Sequence, residues 1–172
     1  MELVTPISAE VIKSLKAGDR IGVSGTIYTA RDAAHKRLTE SLDRGEAAPF
    51  DFYGQIVFYA GPCPAPPGKP IGSVGPTTAG RMDSYAPRLI ESGLKIMIAK
   101  GNRSPEVALA IKKHGGLYLA AVGGVAALMA KCVTGSEVAL YEDLGTEAIR
   151  RLTVEKIPLI VAIDSMGQSV WP

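Results

Sequence analysis

The sequence predicts an α/β domain with a mainly parallel sheet, and two observations support this prediction. Segments with strand-like and helix-like patterns alternate along nearly the whole chain. The run "LKIMIAK" (94–100) is almost continuously apolar over one strand length, which is typical of a strand covered on both faces. With 172 residues, 47% of them hydrophobic and 21% charged, the chain is expected to form one globular domain, 1–172.

The N-terminal part predicts two helices and two strands. A short helix is expected over 8–19, with Ser8 as its N-cap, followed by an alternating strand over 20–25. A long helix is predicted over 28–45, because aliphatic and small residues recur there at four-residue intervals. The β-branched and aromatic residues of 55–60 predict the next strand.

The middle of the chain is dominated by proline and glycine. Ten of the sixteen residues 61–76 are Pro or Gly, which excludes a helix and leaves only a short strand at 71–74. Apolar segments resume on both sides, so we expect a stiff connection inside one domain. A helix is predicted from Thr77 or Thr78 onward, kinked or restarted at Pro87.

The remaining elements continue the alternation. The helix over 102–116 has a clear start, with Ser104 as N-cap and Pro105 at its first position. Further segments are strands over 117–122, 137–142 and 158–164, a short helix over 124–131 and a helical turn over 146–151.

Charge and hydropathy exclude two classes of partner. The formal net charge is +2 and the basic residues are scattered, so no nucleic-acid surface is indicated. The longest apolar tract, 117–130, is shorter than the ~20 residues needed to span a bilayer, so no membrane insertion is expected. The N-terminus lacks a signal-peptide pattern, and a cytoplasmic location is expected.

Metal-ligating residues are few. Cys63, Cys132, His35 and His114 show no zinc-like spacing, and two thiols are too few for an iron–sulfur cluster. We therefore expect this chain to supply no metal ligands.

Polar residues follow the strands of three successive predicted strand–helix units. Arg31, Arg81 and Lys100 each lie just after a strand, and Thr77 and Thr78 precede Arg81 at the start of a helix. Ligands of open α/β sheets bind at such strand ends, where helix N-termini also favour anions. Two guanidinium groups allow bidentate recognition of carboxylates. The pattern predicts an anion site, provided that these strands are parallel neighbours.

Simpler interpretations stay open. Arg31 and Arg81 could form surface ion pairs with Asp32 and Asp83, and either threonine could be a plain N-cap. Lys100 could be an ordinary residue at the end of a strand. The segment "VGGVAALMA" (122–130) lacks the G-x-G-x-x-G pattern of a nucleotide-binding loop and favours tight strand–helix packing instead.

Several motifs resemble one enzyme family. They are "SGTIYTARDAAHKRL" (24–38), "YAGPCPAPPG" (59–68), "GSVGPTTAGRMDSY" (72–85), "AKGNRS" (99–104), "VGGVAALMA" (122–130) and "DLGTEAIRRLTVEKIPLIVAID" (143–164). In this order they resemble the β-type domain of the iron–sulfur hydro-lyases, the class I fumarases and L-tartrate dehydratases. The resemblance implies a three-layer, swivelling β/β/α-type domain with a mainly parallel central sheet.

The same resemblance implies a partner. In that family an α subunit or α-type domain carries three cysteines that hold a [4Fe–4S] cluster, whose open iron acts as a Lewis acid. This chain would be a β subunit that is active only with an α subunit, in a dimer of αβ pairs. The cluster would be ligated by the α subunit and not by this chain.

Residue roles are carried over by motif position. Thr77 would be the base that removes the C3 proton of malate, with Thr78 as the second choice, and an activating group would come from the α subunit. Arg31, Arg81 and Lys100 would bind substrate carboxylates. Asp32 and His35 are weaker candidates, as supports of the site, and Cys63 receives no role.

The implied reaction is the reversible conversion of (S)-malate to fumarate and water. One alternative is L-tartrate dehydratase, whose substrate is also a four-carbon dianion. Another is a non-catalytic carboxylate-binding module. The residues named above do not separate these possibilities.

Overall fold

The computed structural model describes residues 1–121 and 124–171. Within these ranges strands and helices alternate, as predicted. The strands are β1 (Glu2–Val4), β2 (Arg20–Thr29), β3 (Ile56–Phe58), β4 (Ile96–Ala99), β5 (Leu117–Ala120), β6 (Val133–Leu140) and β7 (Ile149–Ile163). The helices are α1 (Ala9–Ser14), α2 (Asp32–Asp43), α3 (Ala86–Glu91), α4 (Pro105–His114) and α5 (Ala126–Lys131), with 3₁₀ turns at Ala79–Met82 and Glu142–Glu147.

Strands β1 to β5 form the parallel part of the sheet. They pair in sequence order, β1 with β2, β2 with β3, β3 with β4 and β4 with β5, all parallel. The carboxyl ends of β2, β3 and β4 therefore lie at one edge. The predicted anion site relied on the strands before Arg31, Arg81 and Lys100; the first and last are β2 and β4, but β3 lies between them and 71–74, before Arg81, is not a strand.

Strand β7 makes the sheet mixed and closes it. It runs antiparallel to β2 along nearly the whole of that strand, and its last residues pair antiparallel with β5. The strands β2, β3, β4, β5 and β7 thus form a closed five-stranded barrel, with β6 paired antiparallel to β7 outside it. The α/β class is confirmed, but the expected three layers around a mainly parallel sheet are replaced by a mixed, barrel-like sheet.

The barrel separates two apolar clusters. Along β4, Ile96 and Ile98 pack inside the barrel, whereas Met97 and Ala99 pack outward against a cluster that contains Leu38 of α2. This alternation follows from the two-residue period of a strand. Both faces of β4 are buried, which explains its near-continuous apolar sequence. None of the helices in the described part of the chain has the length and apolar character needed to cross a membrane.

The predicted helix starts are confirmed at two positions. The Ser8 side chain accepts a hydrogen bond from Val11 N at the start of α1, and Ser104 accepts one from Val107 N at the start of α4. Both serines satisfy amide groups that the first turn of a helix leaves without partners.

The Pro/Gly-rich segment differs from its prediction. Residues 71–74 form no strand, although Cys63 and Ser73 are joined by a backbone hydrogen bond that turns the segment back on itself. The predicted helix from Thr77 or Thr78 is a 3₁₀ turn at 79–82, followed by α3 with Pro87 in its first turn. The restart at Pro87 is confirmed.

The C-terminal third also needs correction. The expected helical turn at 146–151 and strand at 158–164 are a 3₁₀ turn ending at Glu147 and one fifteen-residue strand, β7. Strand β6 begins at residue 133 rather than 137. Residue 122 of the predicted strand 117–122, and with it the first two residues of "VGGVAALMA", lies outside the described residues.

Candidate active site

Residues 77–79 lie as a short extended segment between the carboxyl ends of β3 and β4. Thr77 N donates a hydrogen bond to the Tyr59 carbonyl at 2.6 Å, and the Thr77 carbonyl accepts one from Lys100 N at 3.2 Å. Ala79 N donates to the Lys100 carbonyl at 2.8 Å, and Thr78 and Lys100 form a parallel bridge. The structure therefore places both threonines beside Lys100, at the tips of two neighbouring strands.

The two threonines lie on opposite faces of this segment. Successive side chains of an extended chain alternate between its faces, and in β4 Ile98 packs in the barrel whereas Ala99 packs beneath the helices. Lys100 continues the interior face, and Thr78, its bridge partner, shares that face. Thr77 is consequently on the helix-covered face. Thr78 is exposed, whereas Thr77 is only half-exposed.

A cavity of about 450 Å³ lies beside Thr78 and Lys100, at the carboxyl end of β4. Among the described residues it is lined by Thr78, Lys100, Gly101, Ala120, Ala121, Ile160 and Trp171. Within this set the Lys100 ammonium is the charged group and the Thr78 hydroxyl lies beside it. Thr77, Arg31 and Arg81 do not line this cavity, so the predicted site residues do not share one cleft within the described part of the chain.

Arg31 and Arg81 converge on the carboxylate of Asp32, at the start of α2. Arg81 donates from Nε to Asp32 Oδ1 at 3.1 Å and from Nη2 to Oδ2 at 2.9 Å, which is a bidentate pair. Arg31 Nε lies 3.7 Å from Asp32 Oδ2 and 3.9 Å from Glu147 Oε1. Asp32 therefore joins the two guanidinium groups, as the ion-pair interpretation allowed, whereas Asp83 pairs with a different arginine.

The guanidinium of Arg31 is held against the chain after β3. A Cβ atom added at Gly61 would lie 2.8 Å from Arg31 Cδ and 2.9 Å from Nη1, so any larger residue at Gly61 would displace it. Arg31 Nε is buried and has no hydrogen-bond acceptor among the described residues. Glu147 lies at ion-pair distance only, and its Oε1 accepts a hydrogen bond from Ala33 N at 3.3 Å. Arg31 thus retains donor capacity for an anion.

The side chain of His35 forms a hydrogen bond with the backbone of Arg31. Its imidazole is fully buried, and Nδ1 lies 2.8 Å from the Arg31 carbonyl oxygen, which can only accept. Nδ1 therefore carries the proton in the neutral ring. Burial lowers the pKa of His35 to about 4, partly offset by the hydrogen bond to Arg31, so the ring is neutral near pH 7. Its edge packs on the Tyr59 ring, with centroids 4.8 Å apart.

A buried ion pair ties the two site segments together. The Arg103 side chain is inaccessible to solvent and donates from Nε to Asp83 Oδ1 at 2.7 Å, while Ser104 N donates to Asp83 Oδ2 at 2.6 Å. The guanidinium carbon lies 5.2 Å from the Tyr59 ring centre and 5.1 Å from that of Tyr118. This network fixes the turn that carries Arg81 to the loop that carries Lys100.

The whole chain, residues 1–172, matches the family described as Fumarase C-terminus. The chain belongs to this family. It is 44% identical over 99% of its length to "Fumarate hydratase class I, aerobic" from Salmonella typhimurium, covering 30% of that protein. It is 40% identical over 99% of its length to "Fumarate hydratase 2" from Leishmania major, covering 31% of that protein.

A shorter relative matches along most of its own length. This protein, from Methanocaldococcus jannaschii, is provisionally named an L(+)-tartrate dehydratase subunit beta. The two sequences are 38% identical over 93% of this chain, and the match covers 85% of the Methanocaldococcus protein. By contrast, the chain spans about a third of the length of the fumarate hydratases that it matches. Within the family, the domain thus occurs both as part of a long chain and as most of a short one.

The described residues of this Fumarase C-terminus domain do not fit the role of cluster ligands. Residues 1–121 and 124–171 contain no group of three or more His, Cys, Asp or Glu side chains arranged to hold a metal ion. Cys63 is exposed and Cys132 is half-buried.

Three residues near the site were not among the predicted ones. Glu147 and Arg103 lie in the motifs "DLGTEAIRR" and "AKGNRS", so their position in family motifs was the available signal. Trp171 lies outside the motifs, and its place in the cavity depends on the path of the chain after β7. No sequence pattern would have indicated it.

Proposed function

We propose that this chain is the β part of a class I type fumarate hydratase, which interconverts (S)-malate with fumarate and water. It would work with an α part that carries a [4Fe–4S] cluster, in a dimer of αβ pairs. Support comes from its family and from relatives named fumarate hydratase class I. The cluster and the assembly rest on the motif resemblance and, for the two-chain arrangement, on a relative named as a subunit beta.

The observation that carries the proposal is the convergence of two guanidinium groups, those of Arg31 and Arg81, on the Asp32 carboxylate near the carboxyl ends of the parallel strands, with Lys100 at the end of β4. Arg31 and Arg81 share the Asp32 carboxylate, and Arg81 lies one turn beyond the segment that pairs with Lys100. A four-carbon dianion needs cationic groups for both carboxylates, and guanidinium groups can grip a carboxylate with two donors. Holding the substrate at both ends would align its C3–H bond before proton transfer.

Thr77 is the proposed base for the C3 proton. A threonine hydroxyl is a weak base and needs an activating group. Among the described residues, no side chain is hydrogen-bonded to the Thr77 hydroxyl, so we assign the activating group to the α part. In this proposal the activating group takes the Thr77 hydroxyl proton as Thr77 Oγ1 takes the C3 proton. The electron pair of the C–H bond then forms the double bond, and the C2 hydroxyl leaves and takes up a proton donated from outside this chain, which gives water. The group that assists the hydroxyl lies outside this chain.

Thr78 is the competing candidate, and one structural fact favours it. Thr78 lines the cavity with Lys100, whereas Thr77 lies on the opposite, helix-covered face of the segment. A substrate bound mainly by the arginines would meet Thr77, and one bound mainly by Lys100 would meet Thr78. The two assignments therefore predict different variants to be inactive.

The test is co-expression of the chain with an α-type partner under anaerobic conditions, followed by assays of malate dehydration. Thr77→Ala should lower kcat about 10²–10⁴-fold, the usual contribution of a general base, while the subunits still associate. Thr78→Ala should retain most of the activity. Thr134→Ala is the matched control, because Thr134 is exposed on β6, away from the site. Near-normal turnover by Thr77→Ala would remove Thr77 from the chemistry.

L-Tartrate dehydratase is the second candidate, favoured by the relative of similar length from Methanocaldococcus jannaschii. Assays of the reconstituted pair with malate, fumarate and both enantiomers of tartrate would decide between the two substrates. If the pair binds these acids but converts none of them, the chain would be a carboxylate-binding module instead.

A further inference from the structure

The segment after β7 folds back and brings Trp171 to the cavity beside Thr78 and Lys100. Val170 N donates a hydrogen bond to the Ala162 carbonyl at 3.0 Å, and Trp171 N donates to Ser169 Oγ at 3.0 Å. The preceding turn is fixed by the buried carboxylate of Asp164, which accepts hydrogen bonds from three backbone amides at 2.9 to 3.1 Å. The segment 164–171 is therefore held in place by several hydrogen bonds.

The indole ring of Trp171 is also linked, through Tyr118, to the loop that carries Lys100. It stacks on the Tyr118 ring, with centroids 6.0 Å apart and an angle of 27° between the planes. The Tyr118 hydroxyl in turn donates a hydrogen bond to the Gly101 carbonyl at 2.7 Å. Trp171 and Lys100 are thus held in a fixed relation across the cavity of about 450 Å³.

The described walls of this cavity differ in chemistry. One side has the Lys100 ammonium and the Thr78 hydroxyl, and the other has Ala120, Ile160 and Trp171. Apart from the indole N–H, the side chains of this second wall carry no polar atom. A carboxylate held by Lys100 would place the carbon chain of its acid against the apolar wall.

We infer that Trp171 is a specificity-determining residue, which favours four-carbon diacids with at most one hydroxyl, such as fumarate and malate, over tartrate. This inference rests on the proposed function in the form in which Lys100 holds a substrate carboxylate and the substrate meets Thr78. Against the side chains of Ala120 and Ile160 the additional hydroxyl of tartrate would lose hydrogen bonds to water, which is unfavourable unless another group pairs with it. An apolar pocket rejects a substrate with one additional hydroxyl by about 10²-fold in kcat/KM.

The test compares malate with L-tartrate in the reconstituted enzyme. Wild type should prefer malate by about 10²-fold in kcat/KM. Trp171→Gln supplies an amide that can pair with the additional hydroxyl and should reduce the preference to about tenfold or less, since a well-paired hydroxyl no longer carries that penalty. Trp171→Phe keeps an apolar ring and should retain the preference. The matched control is Val170→Gln, an exposed position in the same tail that does not line the cavity.

A binding measurement separates this inference from the proposed function. Trp171 is the sole tryptophan of this chain, so the difference in emission between reconstituted wild type and reconstituted Trp171→Phe reports on the cavity. Fumarate should change the emission at lower concentration than L-tartrate does. Malate turnover with an unchanged preference in Trp171→Gln would overturn the inference and leave the proposed function intact. If wild type turns over neither malate nor L-tartrate, the proposed function fails. In that case the binding measurement still tests the inference: equal affinities for fumarate and L-tartrate would overturn it, and tighter binding of fumarate would support it.

Discussion

Replacing His35 by Gln should remove a large part of the acid sensitivity of this fold. The imidazole is fully buried and its Nδ1–H donates to the Arg31 carbonyl, so charging the ring would place a cation in an apolar environment. Burial is the main cause of the low pKa of His35; the nearby Arg103 lowers it further, while the Arg31 carbonyl and Asp32 raise it. Gln cannot be protonated in this range and can still donate to Arg31.

The magnitude follows from the two pKa values. The pKa of His35 is lowered from its ordinary value of 6.5 to about 4, and each pKa unit corresponds to about 1.4 kcal/mol. Between these pH values the unfolded chain binds a proton that the native protein does not, so stability falls as pH falls. His35 should therefore account for a loss of about 3 kcal/mol between pH 6.5 and pH 4.

Urea unfolding followed by circular dichroism across this pH range would measure the effect. The informative quantity is the difference in unfolding free energy between wild type and His35→Gln, because the carboxylates common to both cancel. That difference should change by about 3 kcal/mol from pH 6.5 to pH 4. His114→Gln, at the C-terminal end of α4, serves as control because its ring is only partly buried. Parallel curves for wild type and His35→Gln would refute the reasoning.

Two further predictions use matched ion pairs. Asp83→Asn leaves the guanidinium of Arg103 buried without its counter-ion and should cost about 3–5 kcal/mol in urea unfolding. Asp143→Asn, which breaks an exposed pair with a similar N–O distance, should leave the midpoint nearly unchanged. Equal effects would contradict the argument from burial. Arg81→Lys replaces a planar bidentate donor by a point charge and should lower kcat/KM about 10²–10³-fold. Arg37→Lys is the control and should retain activity, because Arg37 also forms a bidentate pair but lies outside the site. A modest rise in KM for Arg81→Lys would count against this role.

The sequence predicted the parallel half of the fold better than its closure. Local signals, such as the cap at Ser104 and the apolar run of β4, sit within a few residues of the element that they specify. Barrel closure depends on β7 pairing with both β2 and β5, which are distant in sequence. In β7, charged residues such as Arg150 and Arg151 interrupt the apolar pattern, so the first half of this strand was not predicted.

The sequence also located the segments of the candidate site but not the faces on which their side chains lie. Adjacent threonines in an extended segment necessarily face opposite ways, and only the bridge to Lys100 shows which of them faces the cavity. Asp32 was expected only as a support or a surface partner. Its shared contact with both arginines depends on the packing of α2 against the turn at 79–82, which no local pattern encodes.

The geometry of the Arg81–Asp32 pair restricts how a substrate carboxylate could bind. Asp32 occupies the Nε and Nη2 donors of Arg81, so a bidentate contact to the substrate would have to use the Nη1–Nη2 edge. That edge is directed away from Asp32, and Arg81 is about half exposed, at 49%. Substrate binding therefore need not displace Asp32, which would keep the guanidinium plane in a fixed orientation. An Asp32→Asn variant would test this, since its weaker hold on Arg81 should raise KM for malate while the protein remains folded.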